Sequence, residues 1–408
     1  MNILFIFSRH SSDPHDSTLT KDISDEFARQ GANIYVMTML EERYGKDTSL
    51  NLENGYNVLR VRTGNYFNTK TKREKVLTIL TLPSKFVAAA KKNLSNIKFD
   101  LIVAHTPFVS SNKIITPLKK FFGCPAHLIL WDIFPQNAWD IGIIRNRLIF
   151  NYFKRVEIKM LLAYDQIWCM SDGNVKYVRE HYPELATVKI ERLYNSAKII
   201  PLPKINRTQL LAKFGYTDSD VVAIFGGNMG VPQRLENIFA LAKLAQDEHL
   251  LAKFLFVGSG TQTNVLRESV KQLNLKNIQF VEQLPRDEYQ DIVSASDIAL
   301  VSLDQRFTVP NFPSKTTDYC KSGLPILASL DDCSASDYGD FLVNIARCGR
   351  FAHAGDAQAL FKEFLSLYQN SALRCELGAN GRKFYEKELD VSNVYHKIVA
   401  SLVFNLDK

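Results

Sequence analysis

The chain has 408 residues, too many for one ordinary hydrophobic core, so two domains are expected. With 46% hydrophobic and 23% charged residues it is not a disordered chain, and it holds no run of about 18 apolar residues able to span a bilayer. The net charge of +7 suits a phosphorylated ligand, an anionic membrane or nothing specific, and without a recognisable motif it gives a nucleic-acid role no support.

Ile3 to Phe7 at the start reads as a first β-strand and not as a signal peptide, because no basic segment and no small-residue cleavage site accompany it. Further apolar, β-branched runs follow at Ile34 to Thr38, Val58 to Val61, Leu101 to Ala104, His127 to Trp131 and Gln166 to Met170. Amphipathic stretches lie between them, the clearest at Leu19 to Arg29, where Leu19, Ile23 and Phe27 recur at helical spacing. This alternation predicts a parallel sheet with helices on both faces. Pro201 and Pro203 interrupt the pattern within Ile199 to Asn206, which reads as the linker. A second βα series has strands at Val221 to Phe225, Phe254 to Val257, Ile278 to Val281, Ile298 to Val301 and Ile326 to Ala328. Helices are expected from near Gln233, Thr261, Arg286 and Pro313. Open α/β sheets bind ligands beyond the carboxyl ends of their strands. The six cysteines lack CxxC spacing and read as reduced thiols of a cytoplasmic protein, with no metal site.

Three segments can carry chemistry. In the first, Gly226, Gly227, Asn228, Met229 and Gly230 follow a strand and precede a helix; such a loop can bring backbone N–H groups to a phosphate, or it can simply be a tight turn. Gly258 to Gly260 repeats the arrangement one strand later and reads as structural. In the second, Pro313 suits a first helical turn. Ser314 and the free N–H groups there can receive a phosphate, Lys315 adds a charge, and Asp318, one turn on, can hold ribose hydroxyls. The alternative is an ordinary helix with solvated Lys315 and Asp318. In the third, Asp132 after a buried strand either orients a substrate hydroxyl or acts as a base, or else caps a helix. His10 and His15 lie in a polar loop after the first strand and His105 follows a strand end; each can contact substrate, although a lone His is more often structural or solvated. Basic residues stand beside aromatics at Tyr66, Phe67, Lys70, Lys72, Arg73 and Lys75, again at Lys119 to Phe122, and a third time from Arg145 to Arg155. They suit an anionic membrane surface, or else are solvated helix faces with the aromatics turned inward.

These residues in this order resemble the GT-B glycosyltransferases, specifically the retaining family four. Gly227 to Gly230 with Gln233, Arg234, Leu235 and Glu236 is similar to that family's donor-phosphate loop, and Pro313 to Ile326 to its nucleotide-sugar motif. Gly355-Asp356, Leu377-Gly378 and Asn380-Gly381-Arg382 look like its C-terminal helices. Asp132 to Gln136 resembles a motif of members that build bacterial surface polysaccharides. The resemblance implies an α/β, GT-B architecture of two Rossmann-like, doubly wound domains facing across a cleft. Residues 1–200 would bind the acceptor, with a helix over 390–408 crossing back, and 207–389 the nucleotide sugar. It implies a metal-independent, retaining glycosyltransferase of hexosyl or N-acetylhexosaminyl type, without a cofactor, using a nucleotide-diphosphate sugar, UDP-linked, and a glycan or lipid-linked acceptor at the inner face of the cell membrane. The catalytic candidates are Asp132, Lys315 and Arg234, and the donor-binding candidates Gly227, Asn228, Gly230, Ser314, Lys315 and Asp318. The sequence departs from the family at several places. The family's Glu pair would fall at Pro310 and Asp318, its phosphate-gripping Arg and Lys at Asn228 and Gln233, and its first-domain His near Trp131. Those departures keep two alternatives open, a non-catalytic glycosyltransferase-like binding partner and a nucleotide-sugar 2-epimerase.

Overall fold

The computed structural model describes every residue except 68, 70, 107–110 and 404–408, and the side chains of 72 and 403. The chain divides into two compact units, one of residues 1–139, 144–198 and 391–408, the other of 140–143 and 199–390. The segment Asp140–Ile143, read from the sequence as part of the first domain, thus belongs with the second unit.

The first unit is built on strands β1 (Asn2–Phe7), β2 (Asn33–Glu41), β3 (Ser49–Glu53), β4 (Tyr56–Thr63), β5 (Leu101–His105), β6 (Ala126–Leu130), β7 (Gln166–Cys169) and β8 (Lys189–Arg192). They form one sheet in the order β3-β4-β2-β1-β5-β6-β7-β8, parallel except for β3, which runs antiparallel to β4. Its helices are α1 (Leu19–Arg29), α2 (Lys72–Asn93), α3 (Asn112–Phe122), α4 (Gln136–Asp140), whose last residue passes to the second unit, α5 (Arg147–Leu161) and α6 (Asp172–His181). The Thr18 hydroxyl caps α1 by accepting from the Lys21 N–H, one of the donors a helix start leaves unpaired. Near-continuous burial of β1, β5, β6 and β7 is what a sheet covered on both faces requires.

The second unit has β9 (Val221–Gly226), β10 (Ala252–Val257), β11 (Ile278–Val281), β12 (Ile298–Ser302), β13 (Ile326–Leu330) and β14 (Gly349–His353), all parallel, in the order β11-β10-β9-β12-β13-β14. Helices α7 (Arg207–Ala212), α8 (Glu236–Asp247), α9 (Thr263–Gln272), α10 (Arg286–Ala295), α11 (Lys315–Lys321), α12 (Asp332–Ser334), α13 (Ala357–Gln369) and α14 (Ser371–Glu388) complete it. Helix α15 (Val391–Val403) returns to the first unit, where Val391, Val394 and Ile398 join the core beside Phe27 and Trp168.

Candidate functional site

In the second unit, the carboxyl ends of β9, β10 and β12 gather the segments that the sequence marked. Gly227 has φ +106 with open space where a Cβ would stand, a conformation natural only to glycine. The loop beyond it packs backbone to backbone on the next glycine turn. A Cβ on Gly258 would lie 2.2 Å from the Gly227 carbonyl oxygen, and one on Gly260 2.3 Å from that of Met229. Hydrogen bonds close the pair: Gly227 N–H donates to Val257 O at 2.9 Å, Met229 N–H to Ser259 O at 3.0 Å, and Gln262 N–H to Met229 O at 3.0 Å. The structural reading of Gly258 to Gly260 follows from this contact.

The same bonds correct one expectation. The Gly226 N–H donates to the Tyr319 hydroxyl at 3.0 Å and the Gly230 N–H to Gln233 Oε1 at 3.3 Å. Four of the loop's five N–H groups are therefore spent inside the unit and cannot cradle a phosphate as the loop stands, which leaves the Asn228 N–H.

Lys315 brings positive charge to the site. Its ammonium stands 3.4 Å from the centroid of the Phe225 ring, at the end of β9, and among the described residues it has no hydrogen bond or ion pair. Desolvation lowers its pKa to about 7, against the raising pull of Asp318. An ammonium left on an aromatic face, feeling Asp318 but forming no ion pair among the described residues, can accept a further anion. Ser314 before it is exposed and its side chain makes no cap hydrogen bond.

Asp318 is already engaged. Arg286, the first residue of α10, grips it with both Nη atoms, Nη1 reaching Oδ2 at 3.2 Å. A ribose would have to share this carboxylate with the guanidinium. Tyr319, one residue on, ties the site to the sheet, accepting from Gly226 and donating to Leu300 O at 3.2 Å. Arg286 and Tyr319 were not singled out as functional from the sequence. Arg286 was visible only as a helix start, because its partner is 32 residues away.

Arg234 has a different neighbourhood. It sits at φ +39 after the turn Val231–Gln233, with its guanidinium 4.0 Å from the fully buried Asp304. Arg306 binds Asp304 by two hydrogen bonds. Although burial alone would raise the Asp304 carboxyl, the Arg306 hydrogen bonds and charge hold it below its usual value. Arg234 is thus a secondary contact to an acid neutralised elsewhere, and its side chain stays partly exposed.

In the first unit the ends of β1, β5 and β6 bring together Ser8, His105, Thr106 and Asp132. The Thr106 hydroxyl accepts from the N–H groups of Trp131 at 2.9 Å and Asp132 at 3.0 Å. His105 Nε2 accepts from the Ser8 N–H at 3.2 Å, so Nδ1 carries the proton and gives it to the Thr106 carbonyl. Burial pushes His105 down to about 4, leaving it neutral. The Asp132 carboxylate makes no hydrogen bond among the described residues, so it caps no helix. Crowding by protein groups raises its pKa although the residue keeps an open surface. His10, in contrast, is buried against Tyr56, with Nε2 3.0 Å from the hydroxyl, while His15 is exposed.

Residues 207–384 match the family described as Glycosyl transferases group 1. A probable glycosyltransferase, WbjE, of Pseudomonas aeruginosa is 22% identical over 223 residues, 53% of this chain and 54% of that protein; the match thus spans about half the length of this relative. Among solved structures, sucrose-phosphate synthase from Thermosynechococcus elongatus superposes with a TM-score of 0.75 at 18% identity, covering 98% of this chain and 100% of that one. HepE of Anabaena, in complex with UDP and glucose, gives a TM-score of 0.70 at 15% identity, with 99% of each chain covered. The fold is GT-B, two Rossmann-like α/β domains, and the matched residues 207–384 lie in the second unit.

Proposed function

We propose that this chain transfers a sugar from a nucleotide-diphosphate sugar, UDP-linked, to a glycan or lipid-linked acceptor in surface polysaccharide assembly at the cytoplasmic face of a membrane. The observation that carries the reading is Lys315, an ammonium with no hydrogen bond or ion pair among the described residues, at the carboxyl end of the sheet and inside the segment that matches the group 1 family. A diphosphate leaving group develops negative charge as the glycosidic bond to it breaks, and a positioned cation in a partly desolvated site stabilises that charge most. In this reading Lys315 does the work a metal ion does elsewhere, the Arg286–Asp318 pair meets the ribose, and Arg234 is an outer charge. Asp132, in the first unit, contacts the acceptor. Transfer proceeds with retention of configuration, as the resemblance to family four implies.

The test is a thermal-shift series with UDP, GDP, ADP and UDP-sugars, with and without EDTA, since a ligand that binds the native state raises its melting temperature. The expected result is a shift with UDP that EDTA leaves in place. Lys315→Ala should remove it while the unliganded protein melts within a few degrees of the wild type, and should cost transfer roughly 100-fold or more. No shift with any nucleotide would overturn the donor site. Turnover of a UDP-sugar without an acceptor product would favour the epimerase reading, and UDP binding without any turnover the non-catalytic one.

A further inference from the structure

The positive charge of this protein is concentrated in one layer. Helices α2, α3 and α5 together hold thirteen lysines and arginines against two glutamates, Glu74 and Glu157, a larger excess than the +7 of the whole chain. Each follows a strand of the first sheet and leads to a strand further along in the same direction, β4 to β5, β5 to β6 and β6 to β7. Right-handed crossovers therefore put all three on one face, where α2 packs on α3 and α3 touches α5. Helix α6, which follows in the same direction, is balanced, with Asp172 and Glu180 against Lys176 and Arg179. Helix α1, whose crossover runs the opposite way, carries three acids to two bases.

The same layer exposes large apolar side chains in rows. In α2, Thr78, Leu82 and Phe86 turn inward, while Arg73, Val76, Leu77 and Leu80 form an outer stripe at i, i+3, i+4 and i+7, with Leu77 64% and Leu80 66% exposed. In α5, Phe150, Glu157 and Met160 are buried, and the outer stripe is Leu148, Tyr152, Arg155 and Lys159, with Leu148 78% and Tyr152 63% exposed. Neither stripe contains an acid. The one acid of α5, Glu157, is buried against Lys154 at 3.1 Å, and that of α2, Glu74, binds Asn65. An ordinary solvated helix face mixes both signs and carries few leucines. Both apolar segments lie in the first half of their helix, hence at the carboxyl end of the sheet, the end where His105 and Asp132 stand. Two helix spacings part them, roughly 20 Å.

We infer that this layer is a docking surface for an anionic phospholipid bilayer, with the α2 and α5 leucines and Tyr152 entering the headgroup boundary and the surrounding lysines and arginines meeting the lipid phosphates. Charge of a single sign around exposed leucines selects a membrane over a second copy of the chain, whose equally basic layer would repel it. The surface also locates the first-unit site. A lipid-linked acceptor reaching from the bilayer arrives at the end of the sheet that carries Asp132. Docking here deepens the membrane location given in the proposed function and rests on that reading for the acceptor, while needing no sugar transfer itself. The basic cluster expected at Tyr66 to Lys75 contributes through Arg73 and Lys75; Lys70 and the Lys72 side chain lie outside the described residues.

The experiment is co-sedimentation of the full chain with vesicles of 3:1 phosphatidylcholine to phosphatidylglycerol and with vesicles of phosphatidylcholine alone, at low and high salt. The expected result is binding to the anionic vesicles at least tenfold tighter than to the neutral ones, weakened by salt. Each of the double variants Leu77→Ser with Leu80→Ser, and Leu148→Ser with Tyr152→Ser, should lower it about tenfold. These side chains are exposed, so the variants should melt like the wild type and keep its UDP-induced shift, which separates failure of docking from failure of the donor site. Absence of wild-type binding, equal binding to both vesicles, or binding untouched by both double variants would overturn the inference, as would a concentration-dependent dimer that the same variants dissolve.

Discussion

The two units share a fold plan and differ in where they keep their specialised residues. In the second, they lie inside, where two glycine turns touch backbone to backbone and Tyr319 bolts the end of β9 to β12. In the first, polar groups also meet at strand ends, but the larger departure from an ordinary domain is on the outer faces of α2 and α5. A site built on close backbone approach tolerates almost no substitution. A surface built on side-chain composition tolerates many, provided sign and hydrophobicity survive. The first kind responds to single mutations through stability and ligand affinity, the second through partition to another phase.

The contrast breaks most sharply at Gly258. Its φ of +136 and the 2.2 Å clash that a Cβ would make with the Gly227 carbonyl lead us to expect Gly258→Ala to cost about 3 kcal/mol. Urea unfolding should show that loss together with weakened UDP binding. A variant as stable as the wild type would mean that the two loops are not interlocked. A smaller effect comes from pH. With Lys315 titrating at about 7, an anion must bind the protonated form, so UDP affinity should fall between pH 7 and pH 9 by roughly 50-fold, approaching tenfold per unit. Calorimetry in buffers of different ionisation heat would show uptake of nearly one proton, absent in Lys315→Met. The sign for stability is the reverse of that for a paired lysine. Folding carries the cost of the charged, desolvated ammonium in full below pH 7, and the cost fades as pH rises from about 7 towards the unfolded value of 10.5. The smallest effect is in the first unit. Thr106→Val removes the acceptor for the Trp131 and Asp132 N–H groups and should lower stability by about 1–2 kcal/mol, with UDP affinity unchanged and acceptor turnover reduced. A fall in UDP affinity would show that the donor site is not confined to the second unit.

How much of this was legible in the sequence depended on burial. Every central strand of both sheets stood out as an apolar run, because a strand covered on both faces has no room for charge. The strands that escaped notice, β3, β8 and β14, all lie at sheet edges. Their sequences, such as Lys189-Ile190-Glu191-Arg192, carry the charges by which edges avoid further pairing. At the candidate site the glycines, Lys315 and Asp318 could be marked because their spacing within one turn or loop is local. That the N–H groups of Gly226 and Gly227 are already used, and that Arg286 holds Asp318, depends on partners tens of residues away, which no local pattern encodes. The outer stripes were half legible. The basic residues of α2 and α5 and the aromatics of α5 were visible, but Phe150 is buried, Phe153 half-buried and Tyr152 exposed, and the exposed leucines between them were indistinguishable from core residues until the helices had been placed on the sheet.

The return of α15 to the first unit bears on how the protein is made. Residues 199–390 form a continuous stretch that holds its own sheet, whereas the core around Phe27 and Trp168 needs Val391, Val394 and Ile398. The Val391 N–H binds the Ala197 carbonyl at 3.2 Å, so the outgoing and returning strands of the chain meet at one seam. On the ribosome, where the amino-terminal domain commonly completes first, this order is reversed. The half synthesised first waits with an unclosed core until the whole of the other half has emerged, and a stop just before residue 391 leaves a finished second unit attached to an unfinished first one.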